Sequence, residues 1–255
     1  QFTDADTVHA RDLIPRSVNA MTRTRADLFT VAGRQELGGF WERIIQPQIF
    51  TMLSMRYGGT ESVNDSPRVT DKIANGQCIF VRREAYAELG GHSIVRTSVA
   101  EDLMLAQRFF SAGKSVVVRL GIDQLATRMY ASLPEIVRGW RKYVFAGGLD
   151  AVPFGRAGRI VFPLLLPLPP LMGLLPPLLL VLGLFSSAHP ALILWAVTSS
   201  AAMLLWWVVV YYTIGESPLY AFLYPLGALM LFYIIVTAVL RGRRVTWKGR
   251  TYVSH

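Results

Sequence analysis

The sequence has almost no charge in one long segment. Between residues 160 and 240 the one charged side chain is Glu216. The other 42 of its 43 charged side chains lie in the remaining 174 residues, about 24% of those positions and an ordinary level for a globular domain. This division predicts a soluble-type part followed by a membrane part. It excludes a disordered chain, a collagen, a coiled coil and a wholly soluble enzyme.

Cysteine is almost absent too, which excludes an intrachain disulfide. The single Cys78 lies in the apolar run Cys78-Ile79-Phe80-Val81, a pattern typical of a buried strand in a reducing compartment.

The formal net charge of +9 is concentrated beside the apolar segment. Basic residues that directly follow a membrane segment face anionic headgroups and mark the cytoplasmic side. No recognition-helix or base-stacking motif accompanies the charge, so we expect membrane lipids and not nucleic acid as the partner. The basic tail, residues 241–255, contains Arg241, Arg243, Arg244, Lys248 and Arg250.

Residues 1–159 read as alternating strands and helices, which predicts part of an α/β domain. Residues 7–30 are expected to be helical, with Thr7 or Asp12 as the cap, and residues 57–70 to be loop. Further helices are predicted at Phe40–Arg56 and Arg83–Leu89, and strands at Cys78–Val81 and Ser115–Leu120.

Ser98-Val99-Ala100-Glu101 has the spacing of a capping box, so we expect a helix to begin there and to end at Gly113. Asp102 then lies in the first turn, where the helix dipole favours an ionised carboxylate.

Residues 134–148 predict a basic amphipathic helix, with Ile136, Trp140 and Val144 on one face and Arg138, Arg141 and Lys142 on another. Such a helix can lie in the membrane interface or offer its cations to a phosphate.

The apolar region, residues 160–240, predicts two or three membrane helices. Residues 191–214 and 218–240 are each long enough to span about 30 Å of hydrocarbon, whereas six prolines interrupt residues 160–185. Arg156 and Arg159 before the region and the basic tail after it both favour the cytoplasmic side, which requires an even number of crossings. We therefore expect residues 160–185 to make no net crossing and the turn at Glu216 to face away from the domain.

Three motifs stand in a characteristic order. Asp4-Ala5-Asp6 at a strand end, Glu101-Asp102 at a helix start, and Arg138-Gly139-Trp140-Arg141-Lys142 resemble the DxD, (T)ED and Q/RxxRW motifs of family 2 glycosyltransferases. The stretches 2–9 and 75–92 look most like the membrane-bound branch associated with hopanoid, carotenoid and ceramide-type lipids. The third motif departs from the pattern, because Arg138 replaces Gln and Lys142 stands where Trp is usual.

The resemblance implies a GT-A fold, a nucleotide-sugar donor, a lipid acceptor, and inverting transfer at a bacterial-type cytoplasmic membrane. It implies that Asp102 is the base and Glu101 its support, that Asp6 and Asp4 bind Mg²⁺ or Mn²⁺, and that Arg138 and Arg141 bind the diphosphate. Gly76, Gln77, Gly91 and His92 fall on its acceptor side.

The simpler alternatives stay open at this point. Asp4 and Asp6 suit a helix cap, Asp102 suits a dipole-stabilising acid, the basic face suits lipid headgroups, and His9 and His92 suit surface loops. The resemblance covers only the second half of the family's catalytic domain, so the strands that hold uracil and ribose are expected to precede Gln1. The rival function is that of an inactive, structural or accessory subunit of a membrane complex with protein partners.

Overall fold

The computed structural model describes residues 1–96, 98–152 and 154–242, together with the short strands at Arg244–Trp247 and Arg250–Val253. Arg243, Lys248 and Ser254 of the predicted tail lie outside the described residues.

The first part of the chain alternates strands with helices, as the pattern predicts. In chain order it contains β1 (Phe2–Thr3), β2 (Thr7–His9), α1 (Leu13–Thr24), β3 (Leu28–Ala32), β4 (Arg34–Gln35), α2 (Phe40–Tyr57), α3 (Thr60–Asp65), β5 (Cys78–Val81), α4 (Arg83–Glu88), α5 (Glu101–Ser111), β6 (Val116–Leu120), β7 (Leu125–Thr127) and α6 (Leu133–Ala151).

Two small mixed sheets organise this part. The larger has the order β1-β5-β3-β6, in which β3 and β6 are parallel and the other pairs are antiparallel. The smaller has the order β2-β7-β4. Leu28, Ile79, Leu105 and Phe109 are buried on one side of the larger sheet, and this core fixes α5 against β5 and β6. The chain is thus an α/β domain followed by long apolar helices, as predicted.

Three local predictions are wrong. Residues 7–30 are not one helix, because β2 precedes α1 and β3 follows it; Leu28 to Val31 are buried in the sheet, so tertiary packing decides their conformation. Residues 57–70 contain α3 in place of a continuous loop. The capping box does not form: Ala100 is the N-cap of α5, and no side chain caps the helix.

The apolar part contains α7 (Gly155–Leu165), α8 (Leu168–Leu184), α9 (Pro190–Thr213) and α10 (Tyr224–Arg241). A two-residue turn at Leu166-Pro167 separates α7 from α8, and a 3-10 segment at Pro218–Leu223 precedes α10. By length and composition, three helical stretches could each cross a membrane: Gly155–Leu184, Pro190–Thr213 and Pro218–Arg241.

The turn at Glu216 does not face away from the domain, so that prediction is wrong. The Arg43 Nε on α2 donates to Glu216 Oε2 at 2.9 Å, and Tyr211 Oη donates to the Arg43 carbonyl at 2.7 Å. The neighbouring Glu42 is buried and ion-paired with Arg128, which anchors α2 to the strand β7 region. The turn is therefore attached to the α/β domain.

Candidate active site

The acidic residues of the first two motifs are brought together by the pairing of β1 with β5. Thr3 pairs with Cys78, and the Thr3 hydroxyl donates to the Gln77 carbonyl at 2.9 Å. These contacts place the end of β1 beside residues 75–77, and Asp4 is the next residue after that end. The Gly76 amide in turn donates to Asp102 Oδ2 at 2.9 Å. The turn 75–77 thus connects the DxD strand end to the start of α5.

Asp102 is held by two backbone amides. Besides Gly76, the Leu103 amide donates to Asp102 Oδ1 at 2.8 Å. Desolvation outweighs these bonds, and with the nearby charge of Glu101 it raises the pKa of Asp102 to about 6. A carboxylate with such a pKa is a stronger base than an ordinary aspartate and is still ionised at neutral pH, as general-base chemistry requires.

Asp4 and Asp6 lie exposed in the segment between β1 and β2. Desolvation and the charges of Asp6 and Glu101 raise the pKa of Asp4, which shows that the acidic groups of the two motifs share one electrostatic environment. Among residues 1–96, 98–152 and 154–242, no three His, Cys, Asp or Glu side chains are placed to hold a metal ion by themselves. The oxygen donors of Asp4 and Asp6 suit Mg²⁺ or Mn²⁺ in kind, provided that a bound diphosphate and water complete the coordination.

The charges of this acidic group act on two tyrosines that sequence reasoning missed. Tyr143 on α6 has a raised pKa because of burial and the charges of Tyr130, Glu101, Asp102 and Asp4. Burial and the charge of Asp6 raise the pKa of Tyr130 to about 12. Tyr143 directly follows the third motif, and this adjacency was the one available sequence signal.

The basic residues of the third motif differ in their surroundings. Lys142 is buried, and its ammonium lies 3.4 Å from Tyr143 Oη and 4.6 Å from the centre of that ring. Arg138 is exposed one helical turn earlier. Burial and the charge of Arg241, the last residue of α10, lower the pKa of Arg141. Lys142 thus contacts Tyr143, whose own pKa responds to the acidic group.

The predicted acceptor-side residues form two groups. Gly76 and Gln77 adjoin Asp102: a Cβ on Gly76 would lie 3.1 Å from Asp102 Oδ2, while Gln77 accepts hydrogen bonds from Gln35 and Asn75. Gly91 (φ +58°) and His92 lie beyond β1, where His92 Nδ1 is 2.7 Å from Tyr86 Oη and its ring is 4.6 Å from that of Phe2.

His9, which sequence reasoning left as a surface or loop histidine, lies close to the DxD segment. Its Nε2 is 2.9 Å from the Thr3 hydroxyl and 3.1 Å from that of Thr7, and Thr7 donates to the Asp4 carbonyl at 2.7 Å. These contacts hold the segment between β1 and β2 in a fixed loop.

The family comparison agrees with an α/β domain followed by apolar helices. No curated protein matches the chain significantly. The family model described as "Glycosyl transferase family group 2" matches residues 2–240, which include all three motifs and the apolar helices. A domain of this kind implies a nucleotide-sugar donor and an acceptor. The chain belongs to glycosyl transferase family group 2.

Proposed function

We propose that this glycosyltransferase moves a sugar from a nucleotide-sugar donor to the hydroxyl of a lipid, with inversion, and that Asp102 is the base. The observation that carries the proposal is the Asp102 carboxylate, which two amides fix and burial makes more basic, beside the charges of Asp4 and Glu101.

In the proposed step, the acceptor oxygen forms a bond to the anomeric carbon while the bond from that carbon to the diphosphate oxygen breaks. The acceptor proton passes to Asp102, and the diphosphate leaves with the electron pair of the broken bond. Each oxygen of Asp102 accepts one amide hydrogen bond and retains a lone pair for this proton. Attack and departure on opposite faces of the sugar invert the anomeric centre.

The diphosphate brings negative charge into an already acidic site, so it needs positive charge close by. Asp6, assisted by Asp4, would hold a Mg²⁺ or Mn²⁺ ion, which when bound supplies that charge. We assign the protein's own contribution to Lys142 together with Arg138, which stand four residues apart on α6 and so share one face of the helix.

Support for a lipid acceptor comes from the position of α6. The charges of Asp102 and Asp4 act on Tyr143, and Tyr143 also packs against the apolar cluster that contains Trp140, Val144 and residues of α10. One helix therefore connects the surroundings of the proposed base with the apolar helices. A lipid hydroxyl at the membrane surface has a short path to Asp102.

The test compares Asp102→Asn with Glu101→Gln in full-length protein in native membranes. Transfer of radiolabelled sugar to a total lipid extract is measured with UDP-glucose, UDP-galactose, UDP-N-acetylglucosamine and GDP-mannose in turn. Asp102→Asn should abolish transfer and leave donor binding nearly intact, because the change is almost isosteric and removes the proton acceptor. Glu101→Gln should retain measurable turnover. More than a few per cent of turnover in Asp102→Asn would overturn the assignment, as would transfer to soluble acceptors alone.

A further inference from the structure

The three apolar helical stretches differ in how much of their surface the protein itself covers. We compare the most apolar 18 residues of each stretch. Of these, 17% are buried within Gly155–Leu184, 11% within Pro190–Thr213 and 39% within Pro218–Arg241. The buried residues of α10 recur at helical spacing along its whole length, and they include Gly227, Leu231, Ile235 and Ala238. Most of this face of α10 is covered by protein, whereas α9 is almost bare.

The beginning of α10 is attached to α2. Gln48 Nε2 donates to the Tyr224 carbonyl at 2.9 Å, and a Cβ on Gly227 would lie 2.6 Å from the Ile44 carbonyl oxygen. The two helix backbones approach so closely here that only glycine fits. Just before α10, Glu216 is paired with Arg43 on the same helix.

The end of α10 is attached to α6. Phe145 and Leu149 of α6 are buried in one cluster with Ala238 of α10. Val239, near the end of α10, packs against the same cluster. Because α2 and α6 belong to one domain, both ends of α10 lie at that domain. A helix held in this way does not carry the chain to the opposite side of a membrane.

The α8–α9 hairpin has the opposite character. Gly183 packs against Ile193, so α8 and α9 are antiparallel neighbours joined by residues 185–189. Between residues 160 and 213 there is no Asp, Glu, Lys or Arg. Large apolar side chains are exposed along both helices, and Phe185 at the tip is 88% exposed. An apolar surface of this extent is suited to lipid. The exposed set includes Met172, Leu178, Leu182, Leu194, Trp195, Leu205 and Val209.

We propose that α8 and α9 cross the bilayer as a hairpin, with the turn 185–189 on the side opposite the domain, while α10 stays on the domain's side. The 24 residues of α9 extend about 36 Å, enough for about 30 Å of hydrocarbon. Arg156 and Arg159 at the base of the hairpin and Arg241 at the end of α10 then share one side. Two crossings therefore keep these basic residues on one side, as the positive-inside bias requires. The crossing pair is α8 and α9, whereas the sequence favours residues 191–214 and 218–240.

The test uses single cysteines in a Cys78→Ala background and a membrane-impermeant maleimide on sealed vesicles of each orientation. Thr22→Cys on the exposed face of α1 reports the domain's side. Ser187→Cys should react only in the orientation in which Thr22→Cys is protected. Ser217→Cys and Ser254→Cys should react together with Thr22→Cys. Labelling after detergent solubilisation confirms that each cysteine is reactive.

Two outcomes would overturn the proposal. In the first, Ser187→Cys reacts on the same side as Thr22→Cys and Ser217→Cys reacts on the opposite side. This result would mean that α9 and α10 form the crossing pair. If Ser254→Cys and Ser187→Cys both react opposite Thr22→Cys, α10 makes a third crossing. Folding is checked on the parent protein that retains Cys78. This cysteine is buried, so it should stay unlabelled as long as the domain is folded. The labelling pattern does not depend on sugar transfer, so it is independent of the proposed reaction.

Discussion

At the scale of single residues, Asp102 and Glu101 are adjacent carboxylates with unequal environments. Two backbone amides fix the carboxylate of Asp102, and burial raises its pKa. Glu101 is exposed, and its negative charge raises the pKa of Asp102 further. Such a separation of roles is expected where one carboxylate must accept a proton near neutral pH.

Transfer should therefore depend on pH. Because protonated Asp102 cannot accept the acceptor's proton, kcat/KM should fall as the pH is lowered through about 6. Glu101→Gln removes a charge that raises this pKa, so it should move the acidic limb to lower pH while Asp102 remains the base. A pH–rate profile of the two proteins measures the displacement. An unchanged limb in Glu101→Gln would mean that another group controls it.

Asp6 tests the metal assignment. Asp6→Asn removes a charged oxygen ligand, so donor binding in the presence of Mn²⁺ should weaken about tenfold or more with little change in thermal stability. Asn is also a good helix cap, so a residue that only caps would tolerate the change. Donor titration with Mn²⁺ and with EDTA distinguishes the two roles. Metal-independent donor binding in the parent protein would remove the ligand role.

At the scale of elements, the sequence predicts those strands and helices that are determined by residues close together in the chain. The strand Cys78–Val81, the helix that ends before Gly113 and the helix around residues 134–148 follow from apolar runs, glycine and periodicity, and all three form. β3 was missed because polar and apolar residues before it fit a helix, and its partners β5 and β6 lie far away in sequence. The effect of the charges of Asp4 and Asp102 on Tyr143 depends on how α6 packs, which no local pattern specifies.

The contact between α2 and α10 gives a prediction with a matched control. Gly227→Ala places a methyl group 2.6 Å from a backbone oxygen that cannot move freely, and this should destabilise the protein by about 1–3 kcal/mol. Gly173→Ala on α8 adds the same methyl group at 3.6 Å from Ala228, an ordinary contact, and should be close to neutral or stabilising. Thermal unfolding in detergent compares them. Equal melting temperatures would show that the two helices do not pack this closely.

At the scale of the whole molecule, the apolar helices are attached to the catalytic domain through α2 and α6. Glu216 is the one charged residue in an 81-residue segment, and its carboxylate pairs with Arg43 on the domain. Sequence reasoning identified the turn but placed it on the far side, since hydropathy and charge bias contain no information about which helix packs on which. The apolar helices and the α/β domain thus form one packed unit, as the proposed transfer to a lipid acceptor requires.

Charge reversal at this pair tests the attachment. Arg43→Glu sets two carboxylates against each other and Glu216→Arg sets two guanidinium groups against each other, so each alone should lower the melting temperature. Both side chains are partly exposed, at 29% and 21%, so we expect about 1 kcal/mol, or roughly 2–4 °C. The double swap restores an ion pair with exchanged partners and should recover most of the loss, together with sugar transfer to lipid. Additive losses in the double variant would mean that the two residues do not meet, and that the turn at Glu216 is free of the domain.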